Sequence, residues 1–325
     1  MVPLDVVTFG EAMVMFVADH PGELQQVSRF TRRLAGAEMN TAIGFARLGL
    51  KAGWVSKVGA DIFGLCVKEL LEAERVHIGA VQTDRRHPTG FQLKSKVSEG
   101  DPEVQYFRKG SAASRLSPGD FREDDYLGAR HLHMTGIPPA LSPETREYSQ
   151  LVLKRMKQAG RTVSFDPNLR PSLWSSRGEM VRTVNSLAVQ ADWVLPGLEE
   201  AGLLTGSTDP HRISEFYLSQ GVRLVVIKMG AEGAYYRSET EEGFVPGFPA
   251  AEVVDTVGAG DGFAVGTVSG LLTGLPVRQA VLRGNAIGSL AVQSSGDYEG
   301  YPTADRLEAY IQSYLNRSEA TYANR

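Results

Sequence analysis

The run Val254-Asp255-Thr256-Val257-Gly258-Ala259-Gly260-Asp261-Gly262-Phe263 sets two glycines and a carboxylate at the mouth of an apolar helix that continues to Leu272. Gly258 and Gly260 reach backbone conformations closed to other residues, so successive N–H groups can converge on one point. The unpaired amides of the helix behind them add partial positive charge. Such a nest suits an anion such as a phosphate. Asp261, at the same mouth, is unwelcome beside phosphates unless it takes a proton. An anion cradle with an adjacent base is the equipment of phosphoryl transfer. Read alone, the motif is equally a glycine-rich turn with Asp261 capping a helix. It is neither the dinucleotide fingerprint nor a P-loop, which points away from hydride transfer and P-loop chemistry.

Three further pieces bear on that choice. Lys228-Met229-Gly230-Ala231-Glu232-Gly233 follows the most apolar strand-like run, where open α/β sheets bind ligands. Its lysine and glycines form either a nucleotide pocket or a tight hairpin turn into Ala234–Arg237. The stretch Phe165-Asp166-Pro167-Asn168-Leu169-Arg170-Pro171 also follows a strand and is stiffened by two prolines. Asp166, Asn168 and Arg170 alternate, so on an extended segment they share a face and suit Mg²⁺-bound phosphates. The plainer alternative is a structural Asp166–Arg170 ion pair. Tyr106 and Arg108 share a strand face by period two, offering a hydroxyl and a carboxylate-gripping guanidinium, or else are solvated. His131 and His133 share a face without a third ligand nearby and read as structural.

The elements that would position these groups follow a repeating order. Strands are predicted at Leu4–Phe9, Ala52–Val58, His131–Thr135, Thr162–Asp166, Asp192–Leu195 and Val222–Ile227. Helices are predicted over 38–48, 62–73, 143–158, 213–219, 261–272, 277–292 and 303–315. This alternation predicts a mainly parallel sheet covered on both faces. The runs 90–97 and 104–109, linked by Ser98-Glu99-Gly100-Asp101-Pro102, read as a hairpin outside the main sheet, with Val14–Ala18 able to pair with it. Such a layer is either a water-excluding lid or an edge decoration.

Composition narrows the class. The 325 residues carry a net charge of −4 and 42% hydrophobic residues, as in a soluble globular chain rather than a nucleic-acid binder. No apolar run approaches a membrane span, and the start Met1-Val2-Pro3-Leu4-Asp5 shows no export signal. The lone Cys66 cannot form an internal disulfide, which fits a reducing cytoplasm. In Leu65-Cys66-Val67 it reads as a small core residue.

Taken in order, these pieces resemble the ribokinase-like, PfkB-type carbohydrate kinases over nearly the whole chain. The C-terminal signature is Asp255 to Asp261; the N-terminal one is Ala35-Gly36-Ala37-Glu38-Met39-Asn40-Thr41-Ala42, leading to Arg47-Leu48-Gly49. Ala35-Gly36, Tyr106 to Ala113, Asp166 to Arg170 with Leu173-Trp174, and Gly296-Asp297-Tyr298-Glu299-Gly300 are similar to the 2-keto-3-deoxygluconate kinase branch. The resemblance implies a three-layer α/β fold, one domain over 1–325 with a β lid from about 12–34 and 88–110. It implies ATP, Mg²⁺ and transfer to a primary hydroxyl, giving 2-keto-3-deoxy-6-phosphogluconate. Asp261 matches the family base, and Gly258, Ala259 and Gly260 its anion hole. Gly36, Asn40, Tyr106, Arg108, Arg170 and Asp297 match acceptor positions; Asn168, Lys228, Gly230 and Gly233 match the nucleotide side. Asp166 and, through water, Glu200 are the metal-side candidates. Where the family often has Asn-x-x-Glu, this chain has Gly197-Leu198-Glu199-Glu200, which leaves only Glu200 for that role. A fructokinase or other neutral-sugar kinase, and a non-catalytic sensor on the same fold, are the rival expectations. Exposed lid edges predict a homo-oligomer.

Overall fold

The computed structural model describes residues 3–97 and 103–323. In chain order its strands and helices are β1 (Leu4–Phe9), β2 (Met13–Ala18), β3 (Phe30–Ala35), α1 (Ala37–Arg47), β4 (Ala52–Gly59), α2 (Ile62–Ala73), β5 (Val81–Asp84), β6 (Phe91–Lys94) and β7 (Val104–Phe107). There follow α3 (Glu123–Tyr126), β8 (Ala129–Thr135), α4 (Pro138–Leu141), α5 (Pro143–Gln158), β9 (Thr162–Asp166), α6 (Arg177–Ala188), β10 (Trp193–Val194), α7 (Leu198–Thr205) and α8 (Pro210–Leu218). The chain ends with β11 (Leu224–Lys228), β12 (Gly233–Ser238), β13 (Glu242–Pro246), α9 (Ala259–Leu272), α10 (Val277–Ala291) and α11 (Ala304–Ala323).

Nine strands form one sheet in the order β13-β12-β11-β10-β9-β8-β1-β4-β5. From β11 to β5 every neighbour is parallel, while β12 and β13 add an antiparallel edge. Alternate side chains along each strand enter opposite layers, so both faces must be covered. In β1, Val6 joins a core with α1, α2, α9, α10 and α11, whereas Val7 and Phe9 join the core under α5, α6, α7 and α8. Helix α9 is buried on nearly all sides because its glycines admit neighbours. A Cβ on Gly266 would press on the Arg283 carbonyl of α10 at 2.5 Å.

A second sheet of four strands, β3-β2-β6-β7, stands apart from the first. β2 pairs in parallel with β6, as the sequence allowed, and β6 pairs antiparallel with β7. The turn expected at Ser98–Pro102 lies outside the described residues. Phe16, Phe63 and Phe91 pack edge-on or tilted between this sheet and α2, and Phe107 stacks on Phe91 at 4.5 Å.

Candidate active site

The parallel strands β1, β8, β9 and β11 all end at one rim, where Asp166 and Lys228, the last residues of β9 and β11, open into a cavity of about 280 Å³ beneath the small sheet. Its wall includes Gly36, Asn40, Tyr106, Arg108, Asp166, Asn168, Arg170, Lys228, Gly258, Gly260, Asp261 and Asp297. Ala259, Glu200, Gly230 and Gly233 are not among the lining residues.

Helix α9 begins at Ala259, with Gly258 as its N-cap at φ +80°, a left-handed conformation that favours glycine. A Cβ at Gly258 would also strike the Asp297 carbonyl. No side chain caps this helix. Among the described residues, the N–H groups of Gly258, Gly260 and Asp261 have no protein acceptor. The Lys228 ammonium lies 3.5 Å from where a Gly260 Cβ would be. Free amides, a helix mouth and a lysine on one point form an anion nest.

Asp261 is 8% exposed and held from two sides. One oxygen accepts from Asn40 Nδ2 at 2.9 Å and the other from Asn168 Nδ2 at 3.1 Å. Asn40 comes from α1, whose start turns on Gly36 at φ +149°, and Asn168 sits at φ +38° after β9. Burial pushes the Asp261 carboxyl above its ordinary range, opposed by the Asn40 hydrogen bond, the Arg170 and Lys228 charges, and the Asn168 hydrogen bond.

The 166–170 segment corrects the expectation of an alternating extended face. The left-handed Asn168 bends the chain there, so Asn168 meets Asp261 while Asp166 turns to Lys228 at 2.7 Å. Asp166 therefore pairs with lysine and not with Arg170. Burial raises Asp166 against the pull of Lys228; burial would depress Lys228, yet Asp166 and Glu200 keep it above its usual value. Among the described residues Arg170 has no carboxylate within ion-pair distance, and its guanidinium donates to the Leu169 carbonyl. Glu200 is occupied elsewhere: its two oxygens accept from the Leu169 N–H at 2.6 Å and the Gly197 N–H at 2.8 Å, tying α7 to the 166–170 loop. Gly230 and Gly233 shape the β11–β12 turn, with the Met229 N–H donating to the Gly233 carbonyl.

Two buried carboxylates in the wall escaped the sequence reading of roles. Glu11 accepts from Arg108 Nε at 2.6 Å, from its terminal nitrogen at 2.5 Å, and from the Ser111 hydroxyl. Arg108 is thus compensated rather than free. Glu38 accepts from the Thr135 hydroxyl, and its second oxygen is buried without a partner. Burial lifts its carboxyl to about 7. Asp297 also has an unpartnered buried oxygen, and burial lifts it to about 7 against the nearby Lys94 charge. The available signals were a glutamate two residues after a buried strand and another in the first turn of α1. His131 and His133 bond to Thr162 and Ser164 within the core, as structural residues do.

A cleft at a parallel-sheet rim, with a fixed carboxylate beside an anion nest, defines a phosphotransferase acting on a small hydroxylated acceptor. The chain belongs to the pfkB family of carbohydrate kinases, whose model matches residues 3–304. It is 51% identical to the 2-dehydro-3-deoxygluconokinase of Bacillus subtilis, covering 95% of this chain and 96% of that protein. A PfkB protein of Polaromonas sp. JS666 superposes with a TM-score of 0.88 at 51% identity, covering 94% of this chain and 99% of that one. An E. coli protein provisionally named ribokinase II, solved with ATP and Mg²⁺, superposes at 0.89 with 28% identity, covering 95% and 99%.

Proposed function

We propose that this chain uses ATP to phosphorylate 2-keto-3-deoxygluconate on its 6-hydroxyl, giving 2-keto-3-deoxy-6-phosphogluconate. The carrying observation is the Asp261 carboxylate, held by Asn40 and Asn168 at a helix mouth whose amides are free. The similarity to the B. subtilis 2-dehydro-3-deoxygluconokinase supports the acceptor.

In this reading the acceptor hydroxyl lies against Asp261, which takes its proton as the oxygen attacks the γ-phosphorus and the bond from that phosphorus to the β,γ-bridging oxygen breaks, releasing ADP. The amides of Gly258, Gly260 and Asp261, with Lys228, hold charge on the transferring group, where one such donor is worth ~3 kcal/mol. Ala259 acts through the turn it completes. Mg²⁺, arriving with the nucleotide, would neutralise charge on its phosphates. Asp166, paired with Lys228 in the cavity wall, would be the metal-side carboxylate, while Glu200 acts by fixing Leu169. Asn168, Gly230 and Gly233 belong to the nucleotide side. The small sheet serves as a lid that brings Tyr106 and Arg108 over the acid and keeps water from the phosphoryl group. Because Glu11 already engages Arg108, Arg170, which makes no ion pair among the described residues, is the main counter-charge for the acceptor carboxylate, with Gly36, Asn40 and Asp297 holding its hydroxyls.

ADP release measured on 2-keto-3-deoxygluconate, its galactonate-derived epimer and fructose tests this. Arg170→Ala should weaken kcat/KM for the sugar acids far more than for fructose. Preference for fructose, or equal losses on all acceptors, would favour a neutral-sugar kinase; no ADP release from any would favour a sensor. The single Cys66 suits a reducing cytoplasm, and among the described residues no helix is long and apolar enough to cross a membrane. The exposed Tyr106 and Phe107 on the lid suit assembly of copies. A light-scattering mass equal to one 35.3 kDa chain would refute that assembly.

A further inference from the structure

The turn that builds the anion nest is weakly packed. Val253, Val254 and Val257 are 62%, 51% and 36% exposed, so apolar burial does little to fix this segment. Its backbone is anchored on one side by Val254 and Asp255, whose N–H groups both donate to the Val292 carbonyl. On the other side the Gly258 carbonyl accepts from the Tyr301 hydroxyl at 2.6 Å. Between these anchors the bend depends on the Asp255 carboxylate, one oxygen of which accepts from the Val257 N–H at 3.1 Å.

The second oxygen of Asp255 is held from the small sheet. Lys94, the last residue of β6, reaches it with Nζ at 2.6 Å, and the lysine side chain is only 5% exposed. Among the described residues this is the only hydrogen bond joining the small sheet to the 251–258 segment. Gln92 lies two residues earlier on the same strand, hence on the same face, and lines the acceptor cavity. One short strand therefore carries a residue over the acceptor and an ammonium on the bend that shapes the phosphate nest. Moving either end of so stiff a segment moves the other.

We propose that Lys94 is a positioning residue that couples the lid to the anion hole: its ammonium holds Asp255, and through Asp255 the Val257–Gly258 turn, in the phosphate-receiving shape when β6 lies over the acceptor. This rests on the kinase reading above. Lys94 touches neither reacting group; it acts through Asp255.

The test uses the full chain, ATP and 2-keto-3-deoxygluconate, with Lys94→Met, Lys94→Arg, Lys94→Ala, Asp255→Asn and the Lys94→Met/Asp255→Asn double variant. Misplacing catalytic groups by an ångström costs about 100-fold, so kcat of Lys94→Met should fall by about that factor. ATP affinity, measured calorimetrically, should stay within about 3-fold, because the remaining nest, Lys228 and the nucleotide side are unchanged. Lys94→Arg should recover most of the loss. The double variant should be no worse than the worse single one, since both substitutions break the same link. Ethylammonium chloride should partly restore Lys94→Ala by refilling the vacated charge. A purely structural role would lower the melting temperature without charge-specific recovery. Lys94→Met turning over at near wild-type kcat overturns the proposal. So do losses that add in the double variant, or a Lys94→Arg as inactive as Lys94→Met. Should Lys94→Met fail to fold, the near-isosteric Asp255→Asn decides by the same kcat criterion. A wild-type chain that releases no ADP with any acceptor overturns the kinase reading and this one together; an active wild type with unaffected variants overturns only the coupling.

Discussion

Glu38→Gln should abolish a pH-dependent loss of stability that the native chain carries. Glu38 is fully buried, bonded through one oxygen to the Thr135 hydroxyl, with the other oxygen lacking any partner. In the unfolded chain it ionises near its ordinary 4.5; in the folded chain burial moves this to about 7, with Asp261 adding a push and Arg108 a pull. Between those values the native state keeps a proton that the unfolded state has released. Stability therefore falls as pH rises through this window and levels off above about 7. A shift from 4.5 to about 7 corresponds to about 3 kcal/mol of stability lost between pH 4 and pH 8.

Glutamine at 38 carries no proton to lose. Its amide enters the pocket with the same mismatch at every pH, which offsets the whole curve without bending it. The stability of Glu38→Gln relative to wild type should therefore rise by about 3 kcal/mol from pH 4 to pH 8. Asp166, Asp261 and Asp297, also raised by burial, bend both curves alike and largely cancel in the difference. Urea unfolding followed by circular dichroism at pH 4, 6 and 8 measures it directly. Parallel pH profiles for the two chains would mean that Glu38 is already ionised when folded, and the desolvation argument would fail.

Asp261→Asn removes the proton acceptor while keeping its shape, so turnover should fall by about 10²- to 10⁴-fold with ATP affinity nearly unchanged; substantial retained turnover removes Asp261 as the base. Because burial raises this carboxyl, wild-type kcat/KM should decline as pH drops through its raised range and recover above it. A rate flat down to pH 4 would contradict the assignment. Gly258→Ala adds a Cβ against the Asp297 carbonyl at a left-handed φ of +80°, so activity should be lost even where calorimetry still detects a folded chain. Lys228→Met strands the buried Asp166 without its partner, a change worth about 3–5 kcal/mol when the carboxylate is charged. The destabilisation should be smaller at pH 5 than at pH 8, because Asp166 is then protonated.

Elements whose apolar residues keep a strict period were legible in the sequence with their bounds. β1, α2, α5 and β9 occur where hydrophobic spacing, caps or prolines place them. Most of the elements that were not read lack such a signal. β5 and β13 are edge strands with mostly exposed or half-exposed side chains, so alternation does not mark them. β3 contains the exposed Arg32 and Arg33. α6 did carry a usable pattern, Met180, Val184 and Leu187, diluted by polar neighbours. The roles of Glu11, Glu38 and Lys94 were illegible for a different reason. Their partners lie 97, 97 and 161 residues away, and local spacing says nothing about pairs that only the folded sheet brings together.

Ion pairing and burial explain how so acidic a cavity can receive anions. Asp166, Asp261, Asp297, Glu11 and Glu38 all line it, yet phosphates and an acid must enter. Lys228 offsets Asp166, Arg108 offsets Glu11, and burial keeps Glu38 and Asp297 protonated up to about 7. That leaves the Asp261 carboxyl opposed by Arg170 and by the nest amides. Each compensation lowers the cost of a charged base beside ATP, so removing Lys228, or removing Arg108 and thereby leaving the Glu11 charge uncompensated in the same wall, should raise the Asp261 carboxyl further. The acid limb of the rate profile would then move to higher pH. Substitution of Arg108 by glutamine is the cleaner case, because Lys228 sits beside the phosphate nest itself. An upward shift of the limb, beyond any change in acceptor KM, would mark Arg108 as part of the charge balance around the base; an unmoved limb would confine Arg108 to gripping the acceptor.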